Sequence, residues 1–187
     1  MTIDKNKPAG STATRTAALG VVLAAAAAGA VTGTMASERT VSVTESVDVA
    51  ATPARTWYAI QDFRDWPSWH PAFASTEIVK GSGNARGSVR VLAAKDGARF
   101  TEELVSHDDA ARSYEYRILQ SPLPIRDYVS KIQVTGGKAG SHVTWSSTFK
   151  VDSGTPEEDI RKAISGVYRA GLDNLASAVE PAERKTY

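Results

Sequence analysis

Between Thr40 and Val49 the apolar residues Val41, Val43, Val47 and Val49 alternate with polar ones, the period-two pattern of a half-buried strand. Thr52-Pro53 ends that pattern. Thr52 suits a helix cap and Pro53 a first helical position, so a short helix is expected through about Ile60, with Ala54, Trp57 and Ile60 inward. The segment Phe63 to Pro71 carries Trp66, Trp69 and two prolines and cannot continue that helix; a short helix or turn packing its rings inward is expected. Six runs rich in Val, Ile, Thr and aromatic residues follow, near Ser75 to Lys80, Ser88 to Ala94, Ala98 to Ser106, Ser113 to Gln120, Tyr128 to Thr135 and His142 to Val151. Short turn signals such as Lys95-Asp96-Gly97 and Gly136-Gly137 separate them, so neighbouring strands must be antiparallel. Thr155-Pro156-Glu157-Glu158 has the form of a capping box with proline at the first helical position. After it Ile160, Ile164, Val167, Tyr168, Leu172, Leu175 and Val179 recur at helical spacing, predicting one helix from Pro156 to Val179 with a buried face.

This order predicts an α+β fold: a curved seven-stranded antiparallel sheet wrapped around a long C-terminal helix, with two short helices after strand 1. The curl leaves an open end that the short helices can close. A cavity between sheet and helix is therefore expected, with Gly166 and Gly171 leaving room in it.

Composition narrows the function classes. The chain has 187 residues and no cysteine, which excludes disulfides, a thiolate nucleophile and cysteine-ligated metal. The N-terminus places Lys5, Lys7 and Arg15 before an apolar, alanine-rich stretch from Ala17 to Val31, and Thr34-Met35-Ala36 resembles a cleavage site. The expected organisation is a signal peptide over 1–36 and a single domain over 37–187, with export to the periplasm or outside a bacterial cell. An uncleaved anchor is the competing reading of the same stretch, which is close to the ~20 residues that cross a bilayer. The absence of an Arg-Arg pair favours the general secretory route. Of 22 basic and 21 acidic residues, the first 36 positions hold three and one, so the remainder carries a formal charge of −1. Such a balance gives no footprint for nucleic acid and none for an anionic membrane after cleavage.

The densest candidate chemistry is Trp66, Trp69, His70 and Pro71: indole rings for a cavity wall and one imidazole to orient a ligand. Glu102 and Glu103 are neighbours on a strand and face opposite sides, so one of them can be buried beside an imidazole or paired with Arg90 or Arg117. Tyr114 and Tyr116 share a face, as do Tyr128 and Ser130, and Trp145 and Phe149. Histidines at 70, 107 and 142 show no metal-ligand spacing, and neither phosphate-binding glycine patterns nor Gly-x-Ser-x-Gly occurs. No metal or cofactor is implied.

Several strings occur in order over Val41 to Val179: Asp62-Phe63 with Trp66-Pro67-Ser68-Trp69-His70-Pro71, Gly87-Ser88-Val89-Arg90, Asp96-Gly97 with Glu103-Leu104, and Arg112-Ser113-Tyr114-Glu115-Tyr116 before Ser121-Pro122-Leu123-Pro124. Tyr168-Arg169-Ala170-Gly171-Leu172 closes the series. In them the chain resembles the START-like/SRPBCC superfamily, its polyketide cyclase/dehydrase-like group, and within that the MxaD-like branch. The resemblance implies a helix-grip fold and a cavity for a small hydrophobic molecule or lipid; the curl of the sheet around the helix makes Trp66, Trp69, His70, Tyr116, Tyr128, Trp145 and Tyr168 the residues expected to border it. The resemblance also singles out Glu103; in a cyclase or dehydratase, His70 with either Glu103 or Tyr116 would be the candidate acid and base. In the MxaD-like branch it implies a third role, an accessory to a periplasmic redox protein in methanol-type oxidation, acting through surface contacts. Ligand binding without catalysis is the leading expectation, because a nucleophile and a metal site are both missing from the pattern.

Overall fold

The computed structural model describes residues 39–138 and 140–179. The expected signal peptide and its cleavage bond lie outside the described residues.

Strand β1 (Thr40–Val49) is followed by helices α1 (Pro53–Ile60) and α2 (Trp66–Trp69). Six strands follow: β2 (Phe73–Lys80), β3 (Val89–Ala94), β4 (Arg99–Asp108), β5 (Ser113–Gln120), β6 (Ile125–Gly137) and β7 (Gly140–Val151); helix α3 (Glu157–Ala178) comes last. The seven strands form one antiparallel sheet in the order β1-β7-β6-β5-β4-β3-β2. Consecutive strands from β2 to β7 are neighbours because their turns are short, and β1 joins the free edge of β7. The helix-grip architecture expected from the pattern is the one found.

Alternation sets which side chains reach the core. Val41 and Val43 of β1, Leu92 of β3, Leu104 of β4, Tyr114 and Tyr116 of β5, and Val143, Trp145 and Phe149 of β7 face inward. On β6 the backbone departs from the regular ladder between Arg126 and Val129, where Asp127 has a left-handed φ of 55°. From there Tyr128, Ser130, Ile132 and Val134 all face inward. Helix α3 buries Ile160, Ile164, Tyr168, Gly171, Leu172 and Leu175 against this surface. About 2 kcal/mol of burial free energy per large apolar side chain makes that face the main tie between helix and sheet.

Local details depart from the sequence pattern. Thr52 caps α1 by accepting from the Arg55 N–H, but Ala54 is exposed, and Thr56 takes the inward position, its hydroxyl 2.8 Å from Ser141 Oγ. The capping box before α3 does not form. Pro156 keeps an extended ψ of 116° and is itself the cap, so Thr155 lies one residue too far back to reach the helix amides. Glu157, Glu158 and Asp159 nevertheless place negative charge at the positive end of the helix dipole.

Candidate functional site

The site is built where the concave face of the sheet meets α3. Register across the strands places Leu104 opposite Tyr116, Tyr116 opposite Ser130, Ser130 opposite Ser147, and Ser147 opposite Val43. Two small serines thus sit mid-row, and the larger Tyr168 reaches over them from α3. Its hydroxyl pairs closely with that of Tyr128 and lies 3.3 Å from Ser130 Oγ. Ser130 donates to the Ser146 carbonyl at 2.8 Å and accepts from Trp145 Nε1 at 3.0 Å; Tyr116 Oη also accepts from Trp145 Nε1, at 3.2 Å. Burial raises the pKa of Tyr116, Tyr128 and Tyr168 well above the ordinary phenol value, so these hydroxyls stay protonated. They are hydrogen-bond donors rather than bases.

Trp66 and Trp69 enter the same interior from α2. Trp66 is edge-on to Tyr116 and Trp145 with ring centroids 5.5 and 5.2 Å apart, and Trp145 stacks on Tyr168 at 4.1 Å. Trp69 lies 5.8 Å from Trp145. The seven residues expected to border a cavity, Trp66, Trp69, His70, Tyr116, Tyr128, Trp145 and Tyr168, are therefore brought together, and all are buried. The room expected at the glycines is not there. A Cβ on Gly171 would lie 2.5 Å from His70 Cδ2 and 3.2 Å from Trp145 Cζ3, so those rings already fill the space, whereas Gly166 faces outward. Concavities of about 750 and 270 Å³ do exist, but the larger lies at the β6–β7 hairpin beside Asp48 and His142, and the smaller on the outer side of β1, β5, β6 and β7.

His70 is fully buried and both ring nitrogens are in use. Nδ1 accepts from the Ala72 N–H at 3.2 Å, which leaves Nε2 to donate to the Val167 carbonyl of α3 at 3.0 Å. Burial lowers its pKa to about 4, so the ring is neutral and has no lone pair to offer a substrate. Glu103 is not brought to it. That carboxylate pairs with Arg117 at 2.8 Å on the opposite face of β4, and the arrangement does not assemble an acid–base pair from His70 and Glu103.

The inward carboxylate is its neighbour Glu102. It meets Arg90 of β3 at 2.6 Å, fully buried, and the guanidinium lies 3.9 Å from the ring centres of both Phe63 and Trp66 while donating to the Phe63 carbonyl at 2.6 Å. Burial pushes the Glu102 carboxyl up from its ordinary value, against the pull of Arg90. Arg90 belongs to the site's framework although sequence reasoning offered it only as a possible partner. The signal was its spacing of two from Leu92, which puts it on the core face of β3. Asn174, whose side-chain amide donates to the Trp69 carbonyl at 2.9 Å, gave no such signal. Among the described residues no group of three or more His, Asp or Glu side chains is placed to hold a metal ion.

A family model described as polyketide cyclase / dehydrase and lipid transport matches residues 40–180. The chain belongs to this family. It is similar to the solved structure of XoxI from Bacillus cereus, at 33% identity over 74% of this chain and 94% of that one, with a TM-score of 0.68. A solution structure of a Thermobifida fusca protein is similar at 27% identity over 78% of this chain and 99% of that one, with a TM-score of 0.67. Ara h 8.0201, at 22% identity over 74% of this chain and 99% of that one, has a TM-score of 0.57 and shares the fold. No curated protein matches. Family and neighbours together place the chain in the START-like, polyketide cyclase-like superfamily, a ligand-binding fold. Among the described residues no helix is long and apolar enough to cross a membrane.

Proposed function

We propose that this protein binds a small hydrophobic molecule or lipid, without transforming it, in the interior between the sheet and α3, and that it does so after export from a bacterial cell. The observation that carries this reading is the set of buried polar atoms converging on one point of an otherwise apolar core. Tyr116, Tyr128, Ser130, Trp145 and Tyr168 bring four hydroxyls and an indole N–H to the centre of the sheet–helix contact. Phenylalanine and valine would fill the same volume without the desolvation penalty of burying polar groups, so packing alone does not call for them. Catalysis is not supported: the hydroxyls stay protonated, His70 is saturated and Glu103 faces away. Export rests on the basic and then alanine-rich residues before Ser37.

One observation favours a second reading. The interior rings touch one another, so the protein as it stands is closed, and an accessory role to a periplasmic redox protein through surface contacts, in the manner of the MxaD-like branch, needs no cavity. Tyr58 of α1, 80% exposed, is the largest apolar side chain among the described residues that is available to such a contact. Titration of the protein with 1-anilinonaphthalene-8-sulfonate, and with a C16 fatty acid as competitor, separates the two. Interior binding predicts saturable one-to-one binding at micromolar concentration with quenching of tryptophan emission. Absence of saturable binding by either probe overturns it in favour of the surface role.

A further inference from the structure

We infer that the interior site is occupied by the protein's own Trp69, a plug that must leave before a ligand enters. The inference rests on the interior-binding reading and explains how a closed, ring-filled interior can serve it.

Two indoles share α2 yet are restrained very differently. Trp66 donates from Nε1 to Tyr114 Oη at 3.0 Å and lies against the guanidinium of Arg90, itself ion-paired with Glu102. Removing that ring would break a hydrogen bond and uncover a buried charge. Trp69 has neither restraint. Its Nε1 is buried with no hydrogen-bond partner among the described residues, and its ring neighbours are Trp66, His70 and Trp145. The ring can leave without breaking a side-chain hydrogen bond, and the unpaired N–H gains a partner when it reaches water or a ligand acceptor. What holds it lies beside the ring: the Asn174 amide donates to the Trp69 carbonyl at 2.9 Å, and the imidazole of the next residue, His70, donates from Nε2 to the Val167 carbonyl at 3.0 Å. Both anchors are on α3, while the Phe63 end of the same segment is tied to Arg90 of β3 and to Asn84 in the β2–β3 connection.

The segment is thus hinged at its Phe63 end and clasped at its Trp69 end. Outward movement of Trp69 vacates the volume of one indole beside Trp145, which stacks on Tyr168 of the hydroxyl cluster. The occupant that fits is a flat, mainly apolar molecule of one or two fused rings carrying an oxygen that can hydrogen-bond to the cluster.

If the plug must open first, apparent affinity is the intrinsic affinity scaled by the open fraction. Deleting the neutral Asn174 bond should raise that fraction roughly five-fold. The test is stopped-flow binding of 2-naphthol to wild type, Asn174→Ala and Trp69→Leu, with melting curves to show that each variant is folded. Expected are a wild-type rate that levels off as 2-naphthol is raised, a plateau and an affinity about five-fold higher in Asn174→Ala, and no plateau in Trp69→Leu, whose plug is shortened. Should Asn174→Ala fail to fold, the comparison with Trp69→Leu decides alone. A wild-type rate that rises linearly and is unchanged in the folded variants, with 2-naphthol still binding, overturns the plug and leaves interior binding standing. No binding to wild type or to either folded variant overturns interior binding itself, and the plug with it.

Discussion

At the β3–β4 wall of the interior, Arg90 meets Glu102 at 2.6 Å with its guanidinium against the rings of Phe63 and Trp66, and the same charge holds the Phe63 carbonyl. At the α3 wall, His70 and the Trp69 carbonyl are each tied to the helix by a single neutral hydrogen bond, and Tyr168 is held by other hydroxyls. The contrast matters because the Phe63–Ala72 segment touches both walls. Breaking a buried ion pair from one side costs about 3–5 kcal/mol, whereas a neutral hydrogen bond contributes about 1 kcal/mol net. One wall anchors the fold, and the other is built to yield.

The largest test of that difference is Glu102→Gln, expected to cost about 3–5 kcal/mol because it leaves the Arg90 charge buried without its counter-ion. Urea denaturation measures it; a loss below about 1 kcal/mol would mean that water reaches the pair and the wall is not sealed.

Acid should act on the α3 wall instead. His70 has its folded pKa lowered by burial to about 4 from an ordinary value of 6.5, so the unfolded chain takes up the proton first. The stability tied to neutral His70 is therefore complete above pH 6.5 and lost as pH falls through 4, about 3 kcal/mol in all. Melting temperatures of wild type and His70→Gln across this range check the sign: the wild type should fall more steeply. Parallel curves would place the imidazole in contact with solvent.

Gly171→Ala is expected to cost about 1–3 kcal/mol, since the new methyl meets His70 and Trp145 and must push the clasped end of the segment outward. The same variant should bind 2-naphthol more tightly than wild type, which couples the cost to opening. Glu103→Gln completes the series with about 0–1 kcal/mol, because its bond to the half-exposed Arg117 is screened by water.

These sites also mark where sequence patterns carry information and where they end. The ten residues of β1 and the inward row of α3 follow from periodicity, since each is set by neighbours a few residues away. Alternation establishes that Glu102 and Glu103 face opposite sides but not which is inside; that is decided by Arg90, at the facing position of another strand. Ala54, expected inward, is exposed and Thr56 is buried for a like reason, because the partner that lets a threonine be buried, Ser141, is 85 residues away. Gly171 shows it most clearly. A helix glycine suggests room, and only the folded chain brings His70 there to take it. Three residues of β6 before Tyr128 were missed because Asp127, in a left-handed conformation, breaks the strand pattern locally.

Ligand entry by way of the plug requires one indole, that of Trp69, to move. The direct measurement is the ¹H–¹⁵N spectrum of the four tryptophan indole groups during titration with 2-naphthol, since Trp57, Trp66 and Trp145 donate to Asp109, Tyr114 and the Tyr116–Ser130 pair while Trp69 has no acceptor among the described residues. Displacement of the plug predicts the largest change at Trp69, in the direction of a newly formed hydrogen bond, a smaller change at Trp145, and Trp66 nearly unmoved. Shifts confined to surface residues around Tyr58, with all four indole signals unchanged under saturating probe, would contradict it.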